Sequence, residues 1–255
     1  MTGGRTMEFR AIFSEAAKEY GLSLTEKQLA QFCRYETLLL EENAKMNLTA
    51  ITEPRAVAVK HFIDSLTAWR KDWFTADIRR VIDVGTGAGF PGLPLKIMHP
   101  EIELTLLDSL AKRVCFLEKV VAALDLSGVA CLHVRGEDAA RQELYRERFD
   151  AAVSRAVAHL SILAEYTLPF VREGGFVAAL KGAKYQEEIQ ESAAAVPLLG
   201  GAPPVIFLEK LPGLDDRRAV LYIRKKSPTP KLYPRAAGTP ERKPLGLLPE
   251  RKKMR

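Results

Sequence analysis

The run Val81-Ile-Asp-Val-Gly-Thr-Gly-Ala-Gly-Phe-Pro-Gly92 constrains the fold of this 255-residue chain more than any other stretch. Apolar residues lead straight into Gly85, Gly87 and Gly89, and a helical pattern follows. Missing Cβ atoms let a backbone turn sharply at a strand end and approach a ligand closely. Gly87-Ala-Gly-Phe-Pro-Gly92 fits G-x-G-x-x-G by letter, but it begins too far past the strand and contains Pro91. The register that fits is Asp83-x-Gly85-x-Gly87-x-Gly89. Its earlier carboxylate and tighter spacing disfavour a nicotinamide-dependent oxidoreductase.

Around this loop the pattern alternates. Strands are expected at 80–84, 103–108, 129–134, 150–154 and 176–181, with helices between them at about 91–98, 111–123 and 161–168. Such alternation implies right-handed crossovers and a parallel sheet. Two further strands, 205–211 and 219–225, have no helix between them and should form an antiparallel hairpin. The fold class is therefore α/β, a mostly parallel sheet closed by one antiparallel hairpin. Residues 1–75 read as a helical cap. One helix runs from Glu8 to Tyr20 and stops at Gly21, a second starts at the capping box Thr25-Glu-Lys-Gln28, and a third spans about 54–69. The sheet domain is 76–226, and 227–255 is a basic tail.

Charge is divided unevenly. From Arg224 onward eleven basic residues face Glu241 and Glu250, giving +9, which leaves the preceding 223 residues at −3. The tail also holds Pro228, Pro230, Pro234, Pro240, Pro244 and Pro249, so it is expected to be extended or disordered. A basic arm of this kind suits a polyanion, because lysine and arginine near phosphates release counterions. Cys33, Cys115 and Cys131 make an odd, unclustered set, and the four histidines are scattered. No disulfide framework or metal site is expected, and a reducing, cytoplasmic compartment is. No apolar run approaches the ~18–20 residues of a membrane helix.

Nineteen residues beyond Gly89 the next strand ends in Asp108, whose carboxylate can accept from two ribose hydroxyls. The third strand ends in Arg135-Gly-Glu-Asp138, an ordinary turn in isolation, where Gly136 and Glu137 could also edge an adenine ring. Asp83-Val-Gly-Thr-Gly-Ala-Gly89 with Asp108 resembles the S-adenosyl-L-methionine site of class I methyltransferases, which have a Rossmann-like sheet ending in such a hairpin. The resemblance is closer to the ribosomal RNA small subunit methyltransferase G family, also called glucose-inhibited division protein B. It is carried by Asn47-Leu-Thr-Ala-Ile51, His61-Phe-Ile-Asp-Ser-Leu66, Gly85-Thr-Gly-Ala-Gly-Phe-Pro-Gly92 and Leu107-Asp-Ser-Leu-Ala-Lys-Arg113. Ser154-Arg-Ala-Val157, Leu180-Lys-Gly182 and Tyr233-Pro-Arg-Ala-Ala-Gly-Thr-Pro240 extend it over nearly the whole chain.

The resemblance implies methylation of N7 of one guanine in 16S rRNA near the decoding region, with 16S rRNA or the 30S subunit as partner and a monomeric enzyme. It puts Gly85, Phe90, Gly136, Glu137 and Arg155 at cofactor positions; Asp83, Gly87, Gly89 and Asp108 complete the expected set. The residues agree with a ring-nitrogen acceptor. Guanine N7 carries no proton and needs no general base, and Ser154-Arg155-Ala156-Val157 lacks the Asp-Pro-Pro-Tyr type of motif that receives an exocyclic amine. Cytosine C5 chemistry would want a nucleophilic cysteine, whereas Cys115 falls in an expected helix and Cys131 in a strand. A ribose hydroxyl would need a base, and Lys181 has no evident carboxylate partner after strand four. Arg155, at a strand end facing the crevice, is the expected orienting or electrostatic residue. Expected RNA contacts are His61 (which shares a helix face with Asp64), Lys181, Arg218, Lys231, Arg235, Arg242 and Lys243. Rival readings are a small-molecule methyltransferase and a nucleotide-regulated RNA-binding protein without catalysis.

Overall fold

The computed structural model describes residues 2–156, 158–215 and 218–246. Two long helices open the chain, α1 (Thr2–Glu19) and α2 (Glu26–Met46). Helix α1 reaches further back than the expected start at Glu8. The capping box forms at α2: the Thr25 hydroxyl accepts from the Gln28 N–H, and the Gln28 side chain accepts from the Thr25 N–H. Next come α3 (Pro54–Val57), a π-helical stretch (Ala58–Ile63) and α4 (Asp64–Leu66), continuous in space. A uniform helix was expected here. The π turn shifts the hydrogen-bond register and changes which backbone carbonyls point outward.

The α/β body then runs β1 (Arg80–Val84), α5 (Gly92–Met98), β2 (Glu103–Asp108), α6 (Ala111–Ala123), β3 (Val129–His133), α7 (Gly136–Ala139) and β4 (Phe149–Arg155). It continues with α8 (Leu160–Thr167), β5 (Val171–Lys181), α9 (Tyr185–Glu191), α10 (Ala195–Leu198), β6 (Val205–Glu209), β7 (Arg218–Arg224) and α11 (Thr239–Arg242). Seven strands form one sheet in the order β3-β2-β1-β4-β5-β7-β6. The first five are parallel, and β7 pairs antiparallel with both β5 and β6. All seven expected strands are present, with ends shifted by a few residues.

Period-two alternation sends successive strand residues to opposite faces. Val81 joins the core shared with the cap and α6, whereas Ile82 and Val84 join the core beneath α8. The cap therefore shares its core with the sheet. Phe9, Phe13, Phe32 and Phe62 are fully buried with Val81 and Leu106 in one cluster.

Strand order reverses between β1 and β4, and ligands bind at such a switch point, outside the carboxyl ends of the strands. Residues 227–246 differ from the expected free arm. Thr229 and Pro240 are buried, and Arg146 donates to the carbonyls of Thr229 and Tyr233 at 2.7 and 2.8 Å. Side chain–to–backbone contacts hold this segment down, so the absence of apolar periodicity did not leave it free. Residues 247–255 of the expected tail lie outside the described residues.

Candidate functional site

A cavity of about 420 Å³ opens at the switch point, lined by the glycine loop from β1, by Asp108 from β2, and by Gly136 and Glu137 from α7. Gly85 and Gly87 adopt φ of 71° and 62°, the left-handed region open to glycine. A Cβ placed on Gly87 would meet no protein atom within 4 Å, so the backbone there faces open space. Asp108 is buried and fixes the loop, its Oδ2 accepting from the Gly87 N–H at 3.0 Å and its Oδ1 from the Leu110 N–H at 2.9 Å. It is both a cap-like residue and a wall of the cavity.

Two expected cofactor contacts lie elsewhere. Asp83 is fully buried beneath the loop and does not line the cavity. Its Oδ2 accepts from the Thr86 hydroxyl at 2.7 Å and the Gly92 N–H at 2.8 Å, bracing both ends of the turn. Burial raises its pKa to about 7, partly opposed by those two bonds and by Arg155. Gly89 is also off the cavity. A Cβ on it would collide with the Tyr35 hydroxyl and Leu93, so glycine is required there by packing.

Arg155 ends β4 as expected, and the structure supplies its partners. One guanidinium nitrogen donates to the Lys60 carbonyl at 2.8 Å and to Asp64 Oδ2 at 3.0 Å. The other faces His61 Nδ1 at 3.1 Å, and the guanidinium lies 4.7 Å from the Phe90 ring centre. The π-helical stretch presents these carbonyl and ring acceptors together. The next residue, Ala156, has φ of 53°, a strained conformation for a residue with a Cβ.

His61 was expected to touch RNA. Instead it is buried, stacks on Phe90 at 4.7 Å, and has both ring nitrogens engaged. Nδ1 accepts from Arg155, so Nε2–H donates to the Thr49 hydroxyl at 2.8 Å. Burial, followed by the Arg155 charge, lowers its pKa to about 3, so the ring is neutral. Thr49 belongs to the Asn47–Ile51 motif, to which sequence reading assigned no part. Tyr35, also missed, donates to the Ala88 carbonyl and stacks on Phe90, tying α2 to the glycine loop.

A second cavity, of about 540 Å³, adjoins the first and shares His61, Arg155 and Ala156 with it. Arg218 stands on its rim, its Nε 3.9 Å from Asp64. Lys181 lines it too, but it is only 8% exposed. It pairs with Glu188 at 2.7 Å and donates to the Ala158 carbonyl, so it does have a carboxylate partner. Burial lowers its pKa. Arg235 is likewise committed: its Nη2 lies 2.6 Å from Glu165, which is fully buried. Lys231, Arg242 and Lys243 are exposed. Among the described residues no His, Cys, Asp and Glu are grouped to hold a metal ion, and no helix is long and apolar enough to cross a membrane.

The sheet order, the loop and the cavity define a class I methyltransferase fold. Solved structures share it: an S-adenosylmethionine-dependent O-methyltransferase of Thermotoga maritima has a TM-score of 0.50 at 15% identity, covering 74% of this chain and 71% of its own. A predicted O-methyltransferase of Agrobacterium tumefaciens has a TM-score of 0.50 at 21% identity, covering 64% and 81%. Residues 28–208 match the family rRNA small subunit methyltransferase G. Proteins of that name from Leuconostoc mesenteroides and Alkaliphilus oremlandii are 48% and 46% identical, over 91% and 94% of this chain and 98% and 100% of theirs. The chain belongs to the rRNA small subunit methyltransferase G family.

Proposed function

We propose that this chain transfers a methyl group from S-adenosyl-L-methionine to N7 of a guanine in 16S rRNA, in the cytoplasm, on naked RNA or the 30S subunit. The first cavity fits the cofactor. It is within the size range of small-molecule sites, it has open backbone at Gly87, and it carries the Asp108 carboxylate for ribose hydroxyls. When bound, the cofactor supplies an electrophilic methyl group on a sulfonium. Gly85, Gly87, Phe90, Asp108, Gly136 and Glu137 hold it, while Asp83 and Gly89 shape the loop from below.

The observation that carries the reading is the placement of Arg155 at the border of two cavities. The second cavity is the place for the guanine. From the border, the guanidinium can face O6 beside the N7 lone pair and orient the base for in-line attack. No proton has to leave N7, and among the described residues the border holds no free base; Lys181 of the second cavity is tied to Glu188 and to the Ala158 carbonyl. His61 and Asp64 are both engaged with Arg155, and Asp83 is sealed away. An exocyclic amine or ribose hydroxyl would require one. Exposed Lys231, Arg242 and Lys243, with Arg218 on the rim, are the RNA contacts in this reading.

Undermethylated 30S subunits, incubated with methyl-labelled cofactor and mapped to the labelled base, test it. Label on guanine N7 is the expected outcome. Label on a ribose, an exocyclic amine or a pyrimidine overturns the acceptor assignment.

A further inference from the structure

The segment 227–246 is held by a repeated device. Three carboxylates of the body each accept a backbone N–H from it: Glu147 from Thr229 at 2.7 Å, Glu165 from Arg235 at 2.7 Å, and Glu137 from Gly238 at 2.8 Å. The third lies in the wall of the first cavity. Gly238 takes φ of 73°, and α11 follows it directly. That short helix brings Glu241 into the cavity wall, near Tyr166, another wall residue. The end of the cavity around Glu137 is thus built partly by the C-terminal segment.

The chemistry of that end is specific. Glu137 Oε1 is occupied by the Gly238 N–H, which leaves Oε2 and the Glu241 carboxylate as acceptors beside the Gly136 backbone. Two carboxylates in one cavity wall suit a ligand group that donates two hydrogens, such as an exocyclic amine. We infer that the C-terminal segment is a working part of the cofactor site: Glu241, with Glu137 fixed by Gly238, accepts from the adenine amine. This rests on the cofactor reading above. It makes cofactor affinity depend on a docked segment, and by reciprocity docking depends on the cofactor.

Calorimetry with the full chain tests this, using S-adenosylhomocysteine and its inosine counterpart, in which a carbonyl oxygen replaces the amine. The wild type should prefer the adenine compound by about tenfold or more, because two acceptors facing each other repel. Glu241→Ala, at an exposed position that the fold does not need, should lose about tenfold in affinity for S-adenosylhomocysteine and much of that preference. Hydrogen exchange of residues 229–242 should slow when S-adenosylhomocysteine binds. A Glu241→Ala protein with wild-type affinity and preference, or exchange in 229–242 that ignores the ligand, overturns the inference. A wild type that binds neither compound overturns the cofactor reading itself, which is a different result.

Discussion

Residues 2–66 and residues 227–246 approach the same cavity from opposite sides of the α/β body in sequence, the first by packing aromatic rings and the second by threading amides onto carboxylates. In the cap, Phe62 touches Phe9, Phe13, Phe32, Tyr35 and Phe90 with ring centres 5.0–5.9 Å apart, and Phe90 is itself in the cavity wall. In the C-terminal segment the anchors are Glu137, Glu147 and Glu165, with Arg141 and Arg146 gripping carbonyls. Burial of rings is non-directional and large in sum. Amide-to-carboxylate bonds are directional and local, and each costs most when one partner is left half-made. The cap should therefore carry stability, and the C-terminal segment geometry.

The strongest way to break this contrast is Phe62→Ala. Removing a fully buried ring should cost about 3–5 kcal/mol, read as a lower denaturation midpoint. A loss below about 1 kcal/mol would mean that the ring cluster is not one packed unit. On the other side, Arg235→Met leaves the Glu165 carboxylate buried without its partner. The expected cost is about 2–3 kcal/mol, since stranding a buried charge is the costly case. The pair with Glu165→Leu should recover most of it, because replacing both members removes the unpaired charge. No cost for Arg235→Met alone would make the ion pair incidental.

The two regions also differ in legibility. The strands and the helices α5, α6 and α8 could be read from the sequence because burial on two sheet faces leaves a periodic apolar trace. The glycine loop and Asp108 could be read because backbone turns and strand-end carboxylates sit at fixed spacings. Arg155 was placed at its strand end, but its partners were hidden. Lys60, His61 and Asp64 reach it only through the π turn, and nothing local in the sequence marks a one-residue change of helical register. The anchoring of Lys181 and Arg235 is hidden in the sequence, because an acid seven residues or seventy residues away leaves no pattern. The segment 227–246 looked free for the same reason: its anchors are carboxylates on the body that accept its backbone amides, which no periodicity encodes. Its Tyr233–Pro240 motif was visible only as part of a family resemblance.

Titration sharpens the contrast at smaller cost. Folding lowers the pKa of His61 from 6.5 to about 3, so the unfolded chain binds its proton first as pH falls. His61 therefore contributes stability that is present above pH 6.5 and lost as pH drops toward 3, by up to about 1.4 kcal/mol per pH unit. Lys225, buried beside Glu147 and Thr229, is lowered from 10.5 to about 8, mainly by burial. The same sign puts its loss between pH 10.5 and 8, on the alkaline side. His61→Asn should flatten the acid limb of a stability–pH curve and Lys225→Met the alkaline limb. Each should leave the other limb in place. A variant that moves both limbs would show that the regions are coupled through more than the cavity.

The smallest effect on the folded protein should come from ending the chain after Gly246. The three amide-to-carboxylate anchors among the described residues lie before that point, as does Glu241 in the cavity wall. Stability should change little, because these anchors are kept, and affinity for S-adenosylhomocysteine should be kept with them. The deletion nevertheless removes Arg251, Lys252, Lys253 and Arg255 against the single acid Glu250. If these cations meet RNA phosphates, binding to 30S subunits should weaken, with the log–log salt slope shallower by roughly 0.7–0.9 for each phosphate no longer neutralised. Ending the chain after Lys226 should do more: it strips Thr229 from Lys225 and Glu147, leaves Glu165 unpaired, and lowers stability and cofactor affinity together. The two truncations thus separate a docking segment from a charged end. Equal salt slopes for the intact chain and the shorter deletion would place the RNA contacts on Arg218, Lys231, Arg242 and Lys243 instead, within the anchored part of the molecule.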